Sequence, residues 1–170
     1  IPIADGSDTG GSLRNPAAFC NVVGFRPSPG RVPAWPSELA WFPISVQGPM
    51  ARTVQDVALL LTAIAGPDPR SPIAIGDPPE MFARPLERGF EGVRIAWSSD
   101  FGELPVAPEV SQVMAAQRVH FESLGCVVED GQPDFRDADE IFKAWRAWAF
   151  EQKFAPHLEA NRDQLKDTII

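Results

Sequence analysis

Apolar residues recur at helical spacing in three stretches of the chain. Val54, Val57, Ala58, Leu61 and Ile64 fall on one face, the repeat of a helix with one side turned to a core. Thr53 precedes them as a candidate N-cap with Asp56 three residues on, and Gly66-Pro67 supplies the stop. Val110, Val113, Gln117, Phe121 and Leu124 repeat in the same way behind Pro108 and end at Gly125. A last helix starts in the acidic run Asp137–Glu140 and carries Ile141, Trp145, Trp148 and Phe154.

Short apolar runs flank the second helix. Val93–Trp97 and Cys126–Val128 predict two strands, so residues 93–129 form a β–α–β unit. Strands alternating with helices imply the α/β class with a mixed or largely parallel sheet. The predicted strands are too few for a complete doubly wound sheet. Residues 1–33 mix turns with apolar pieces at Ala17–Cys20 and Val22–Phe25, and predict a tightly packed loop, a short helix and a strand. Residues 34–50 place Trp35, Trp41 and Phe42 among prolines and glycines and read as a packed surface loop. Residues 66–90 contain Pro67, Pro69, Pro72, Pro78, Pro79 and Pro85 and read as an extended surface excursion.

The 170 residues suffice for one domain with a core, and the net charge is −8. That charge argues against nucleic acid as a direct partner, because phosphate binding needs clustered Lys and Arg. The only lysines are Lys143, Lys153 and Lys166. The longest apolar stretch, around Val57–Ala65, is too short to cross a membrane. Cys20 and Cys126 stand isolated and are expected to be reduced and buried rather than bridged, so the expected compartment is the reducing cytoplasm. Neither cysteine has CxxC spacing or a nearby His, which argues against zinc. The Asp137–Glu140 run is explained by its place in a first helical turn, without a metal.

Candidate chemistry sits in Gly6–Ser12, which reads GSDTGGS. Gly6, Gly10 and Gly11 permit backbone conformations closed to other residues and let a substrate approach the main chain. Successive N–H groups there can form a concave nest for a phosphate or for the oxyanion of a tetrahedral intermediate. Ser12 follows two glycines, so nucleophile and oxyanion donors would come from one segment, as suits acyl transfer. The glycines alone also fit a plain surface turn, and a Walker loop would need a Lys that is absent. No GxSxG elbow occurs, and no serine has a Lys three residues later. His120 at a helix border and His157 in a polar segment are poor candidates for a general base. Asp8 and Arg14 bracket Ser12 and are expected to pair and brace the loop, the alternative being solvated side chains. Ser7 is expected to donate a hydrogen bond within the loop or cap a turn. Phe142, Trp145 and Trp148 at i, i+3 and i+6 read first as core and second as acyl-pocket lining.

The longer string is more specific. Residues 6–33, GSDTGGSLRNPAAFCNVVGFRPSPGRVP, resemble the core segment of the amidase signature family, whose pattern runs GSDTGGSIR-x-PA-x-FCG-x-x-G-x-KPT-x-GRV. Gly48–Val54, Asp56 and the helix after them resemble the family's GP-x-AR-T-V-x-D-x-A-x-L-L segment, and the β–α–β unit ending in Leu124–Glu129 resembles the family's later region. Residues 6–66 carry the specific match, 93–129 a weaker one and 130–170 almost none. Asn21 stands for a family glycine, Arg26 for a lysine and Ser28 for a threonine, changes that touch packing more than mechanism.

The resemblance implies an α/β/α sandwich around a large mixed sheet, incomplete in this chain. Residues 1–170 are then a single partial amidase domain. Its parts are a signature core (1–66), a Pro-rich excursion (67–92), the β–α–β unit (93–129) and a helical region with a candidate substrate pocket (130–170). The implied chemistry is hydrolysis of a carbon–nitrogen bond of a small-molecule amide through an acyl-enzyme, by a Ser–Ser–Lys triad without metal or organic cofactor. Ser12 would be the nucleophile, and the backbone N–H groups of Thr9, Gly10, Gly11 and Ser12 the oxyanion donors. The family's lysine and its bridging serine precede the nucleophile, and neither has a counterpart among these residues. The chain alone is therefore expected to be inactive. Its open strand edges predict poor stability, aggregation or a partner, a homo-oligomer included. Two alternatives stand beside this one: the amidotransferase branch of the same family, acting on aminoacyl-tRNA, and a non-catalytic, degenerate amidase module.

Overall fold

The residues ahead of the first predicted helix form a three-stranded antiparallel sheet. In a computed structural model, which describes residues 1–102 and 104–166, β1 (Ile3–Asp8) and β2 (Val23–Gly24) both pair with β3 (Val46–Ala51). Helix α1 (Arg14–Cys20) connects β1 to β2. Two expected loops are thereby corrected, since Gly6–Asp8 lies in β1 and the end of the 34–50 segment lies in β3. The central strand reads VQGPMA, and a proline, which lacks an N–H, rarely stands in such a position. Its sequence conceals the strand.

Gly48 has a packing reason. It faces Gly6 across the sheet, and the fully buried Leu13 fills the notch left by the two missing side chains. A Cβ at Gly48 would collide first with the backbone carbonyl oxygen of Phe25 and would stand 2.8 Å from both Leu13 Cδ1 and Pro27 Cδ. Gly48→Ala is therefore expected to cost about 1–3 kcal/mol of stability through overpacking, read as a lower urea midpoint.

The helix predicted from the Val54–Ile64 repeat is present as α2 (Val54–Ile64), and Thr53 Oγ1 accepts the Asp56 N–H at 3.1 Å. Val57 and Leu61 pack with Ala51 of β3, surrounded by Ile3, Val23, Val32 and Phe82. Val54 shares the apolar face by spacing but is exposed. The Pro-rich stretch is more than a surface excursion. A short 3-10 turn at Pro79–Ala83 packs on α2, and the Ile75 N–H donates to the Gly30 carbonyl at 2.9 Å.

The chain divides into two compact units, Ile1–Leu86 with Trp145–Ile170, and Glu87–Ala144. In the second, β4 (Arg94–Trp97) and β5 (Val127–Asp130) pair in parallel on either side of α3 (Pro108–Ser123) in the chain, the predicted β–α–β unit. β5 starts one residue later than expected, and Cys126 is buried just before it. Trp97 and Phe121 meet edge-to-face at 5.9 Å, and Arg118 ties α3 to the Val128 carbonyl at 2.9 Å. Val110, Val113 and Leu124 on the predicted apolar face are exposed.

The acidic run opens α4 (Ala138–Asn161), as predicted. Its Trp145 and Trp148 are not core; they pack on Phe42 at 6.0 and 6.2 Å between ring centroids and remain 39% and 40% exposed. Cys20, expected to be buried, is exposed beside Phe19 near the end of α1. Residues 167–170 of the predicted helical region lie outside the described residues. Among the described residues no helix is long and apolar enough to cross a membrane. The class is mixed α/β, and the described residues form one antiparallel and one parallel sheet.

Candidate active site

β1 ends at Asp8 and delivers the chain into the turn Thr9–Ser12, after which Leu13 plugs the glycine notch and α1 begins. Gly11 has φ +117°, a conformation that residues with a Cβ rarely adopt, and its carbonyl accepts the Asn15 N–H at 2.7 Å. Gly6 and Gly10 do not share this backbone conformation. Gly6 instead makes room for Leu13, where an added Cβ would stand 3.1 Å from Leu13 Cδ2. Ser12 is exposed between a buried Gly11 and a buried Leu13. Ser12 is thus an exposed residue held between two buried ones.

Asp8 is the anchor beneath it. Leu13, the N-cap residue of α1, has no capping side chain, so the N–H groups there need another acceptor. Asp8 Oδ1 takes the Gly11 N–H at 2.8 Å and Oδ2 takes the Leu13 N–H at 3.3 Å. Arg14 then grips the same carboxylate with two bonds, Nε to Oδ2 at 2.9 Å and Nη2 to Oδ1 at 3.1 Å. The predicted Asp8–Arg14 pair is present, in the fork geometry that makes such pairs strong.

Arg26, which the sequence marks only as a packing substitution, reaches the same carboxylate. Its Nη1 donates to Asp8 Oδ1 at 3.1 Å and to the Asp8 carbonyl, and its Nη2 donates to the Ile44 carbonyl at 2.7 Å. The signal available in sequence is that the family residue at this position is also a cation. Beside it, Thr9 Oγ1 and Ser45 Oγ share a hydrogen bond at 3.0 Å, so residues 44 and 45 hold both sides of the Asp8–Thr9 link.

The Arg14 hydrogen bonds hold the Asp8 carboxyl well below the usual carboxylate range. Burial opposes them, and the N–H groups of Gly11 and Leu13 reinforce them. The same pairing raises the Arg14 guanidinium. A carboxylate whose pKa is depressed by folding contributes stability that is present above its unfolded pKa, about 3.9, and is lost as pH falls through the folded value. The urea midpoint is therefore expected to fall progressively on acidification below about pH 4. Asp8→Asn should lower the midpoint at neutral pH and flatten this acid limb.

The other predicted residues are placed less tightly. Ser7 is exposed and, among the described residues, makes no side-chain hydrogen bond in the turn. The Gly11 N–H, counted among the oxyanion donors by resemblance, is already donated to Asp8. Lys143 pairs with Asp139 one helical turn earlier. Lys153 lines a cavity of about 190 Å³ together with Ser45, Gln47 and Ser71. Phe142 lines a separate cavity of about 690 Å³ in the second unit, with Phe101 and Phe135; Trp145 and Trp148 line neither. Among the described residues, no three His, Cys, Asp or Glu side chains cluster closely enough to hold a metal.

Known proteins share this arrangement of sequence and fold. The family model described as Amidase matches residues 1–168. The chain belongs to the amidase family. A glutamyl-tRNA(Gln) amidotransferase subunit of Pseudomonas savastanoi pv. phaseolicola (strain 1448A / Race 6) is 36% identical to this amidase chain over 130 residues, 76% of it and 27% of that protein. An acylamidase of Rhodococcus erythropolis is 35% identical over 139 residues, 82% of this chain and 29% of that one. Among solved structures, a bacterial aryl acylamidase of the amidase signature family matches with a TM-score of 0.84 at 27% identity, covering 99% of this chain and 37% of that chain. The amidase chain therefore spans less than a third of the length of these curated relatives, and its fold is the corresponding part of the amidase signature fold.

Proposed function

We propose that this segment carries the nucleophile of a serine-dependent amide hydrolase, with Ser12 as that nucleophile. One observation carries the reading: Ser12 is the exposed hydroxyl of a turn whose base, Asp8, is fixed through five hydrogen bonds to its carboxylate. Ser12 Oγ would attack the amide carbonyl, its proton passing to a base as the C–O bond forms. Collapse of the tetrahedral intermediate breaks the C–N bond, the leaving amine takes a proton, and water releases the acid from the acyl-enzyme. With the Gly11 N–H committed to Asp8, we assign oxyanion stabilisation to the N–H groups of Thr9, Gly10 and Ser12. Gly11 holds the turn. The neutral lysine and bridging serine that would activate Ser12 have no counterpart among these residues, so activity needs them from elsewhere in the protein.

The test is amine or ammonia release from a panel of anilides and primary amides by the full-length protein. Turnover of any member supports the hydrolase, and no turnover across the panel favours a non-catalytic module. A second reading, an amidotransferase component, is favoured by the relative from Pseudomonas savastanoi named for that activity. It predicts ammonia transfer to a glutamyl-tRNA only in the presence of partner subunits. The net charge of −8 makes RNA contact by this segment itself unfavourable.

A further inference from the structure

We propose that Arg26 is a positioning residue for the oxyanion site, acting through the peptide group that joins Asp8 to Thr9. The proposal presupposes that Ser12 is the nucleophile. Arg26 Nη1 donates to the carbonyl of that peptide as well as to Asp8 Oδ1. The other end of the same peptide group is the Thr9 N–H, one of the three donors assigned to the oxyanion. A hydrogen bond to a peptide carbonyl polarises the whole group and strengthens its N–H as a donor, more so where water is scarce.

Charge adds to this effect. Two guanidiniums face one carboxylate, so the cluster of Asp8, Arg14 and Arg26 carries one positive charge in excess. The Arg14 side chain is 55% exposed and the Arg26 side chain 24%. Water therefore screens Arg14 far more than Arg26, and the less hydrated cation is the one bonded to the oxyanion-site peptide. Arg26 is also fixed in place, because its Nη2 donates to the Ile44 carbonyl at 2.7 Å while the neighbouring Ser45 shares a hydrogen bond with Thr9. The lysine of the family pattern at this position would keep the cation but not the second grip.

The experiment compares Arg26→Gln and Arg26→Lys with wild type in the full-length protein, with active sites counted by stoichiometric fluorophosphonate titration. Arg26→Gln should lower kcat per titrated site about tenfold with KM little changed, a part of the roughly 10²–10³ lost when an oxyanion donor is deleted. Arg26→Lys should recover kcat to within about threefold of wild type, since it keeps a charged donor. A merely structural role would reduce the number of titrated sites and leave kcat per site unchanged, and that result for Arg26→Gln overturns the proposal. If Arg26→Gln does not fold, Arg26→Lys decides, because a tenfold or larger loss per site overturns the charge-based role. A wild-type protein that neither turns over an amide nor takes the probe overturns the hydrolase reading itself, a different and separately visible failure.

Discussion

Ser12→Ala is expected to abolish amide turnover while leaving the fold untouched. The side chain is exposed and makes no hydrogen bond among the described residues, so its removal should change stability by less than about 0.5 kcal/mol. The loss in kcat should be roughly four to six orders of magnitude, because the covalent route closes and only binding and oxyanion stabilisation remain. Substrate affinity should change little, since the hydroxyl serves the reaction and not the binding of the ground state. A variant that keeps more than about a tenth of wild-type kcat would show that another group attacks the amide.

Asp8→Ala is expected to have the largest effect on stability. The carboxylate is fully buried and accepts from two backbone N–H groups and two guanidiniums. Arg14 is half-exposed and can return to water at small cost. The Gly11 and Leu13 N–H groups cannot, and each buried donor left without a partner costs about 1–3 kcal/mol. With Arg26 also losing its counter-charge, the total should reach about 3–5 kcal/mol. Urea unfolding at neutral pH measures it, and a midpoint equal to that of wild type would mean that Asp8 does not brace the turn. The loss of stability below about pH 4 belongs to the same carboxylate, so Asp8→Ala should flatten it as well.

What the sequence made legible is local. α2 and the β4–α3–β5 unit follow from apolar spacing, a Thr N-cap, a Pro at the first helical position and a Gly at the end, all read within a few residues of where they act. The Asp8–Arg14 pair was legible for the same reason, since the two residues flank one turn. β1 and β3 were not, because their residues answer to distant ones. Gly6 is glycine to admit Leu13, Gly48 to admit Leu13 and the Phe25 carbonyl, and Pro49 interrupts the alternation that would mark a strand. The role of Arg26 is hidden in sequence because it reaches Asp8 only after α1 and β2 return the chain beneath the turn. On α3 and α4 the spacing found the helices but not a buried face, since Val110, Val113, Leu124, Ile141, Trp145 and Trp148 are all exposed.

The most direct test of Ser12 as nucleophile is to treat the full-length protein with a fluorophosphonate probe and map the adduct by peptide mass spectrometry. The account predicts one adduct, on Ser12, together with negligible labelling of residues 1–170 alone. An adduct on any other residue, or rapid labelling of Ser12 in the isolated segment, would contradict it.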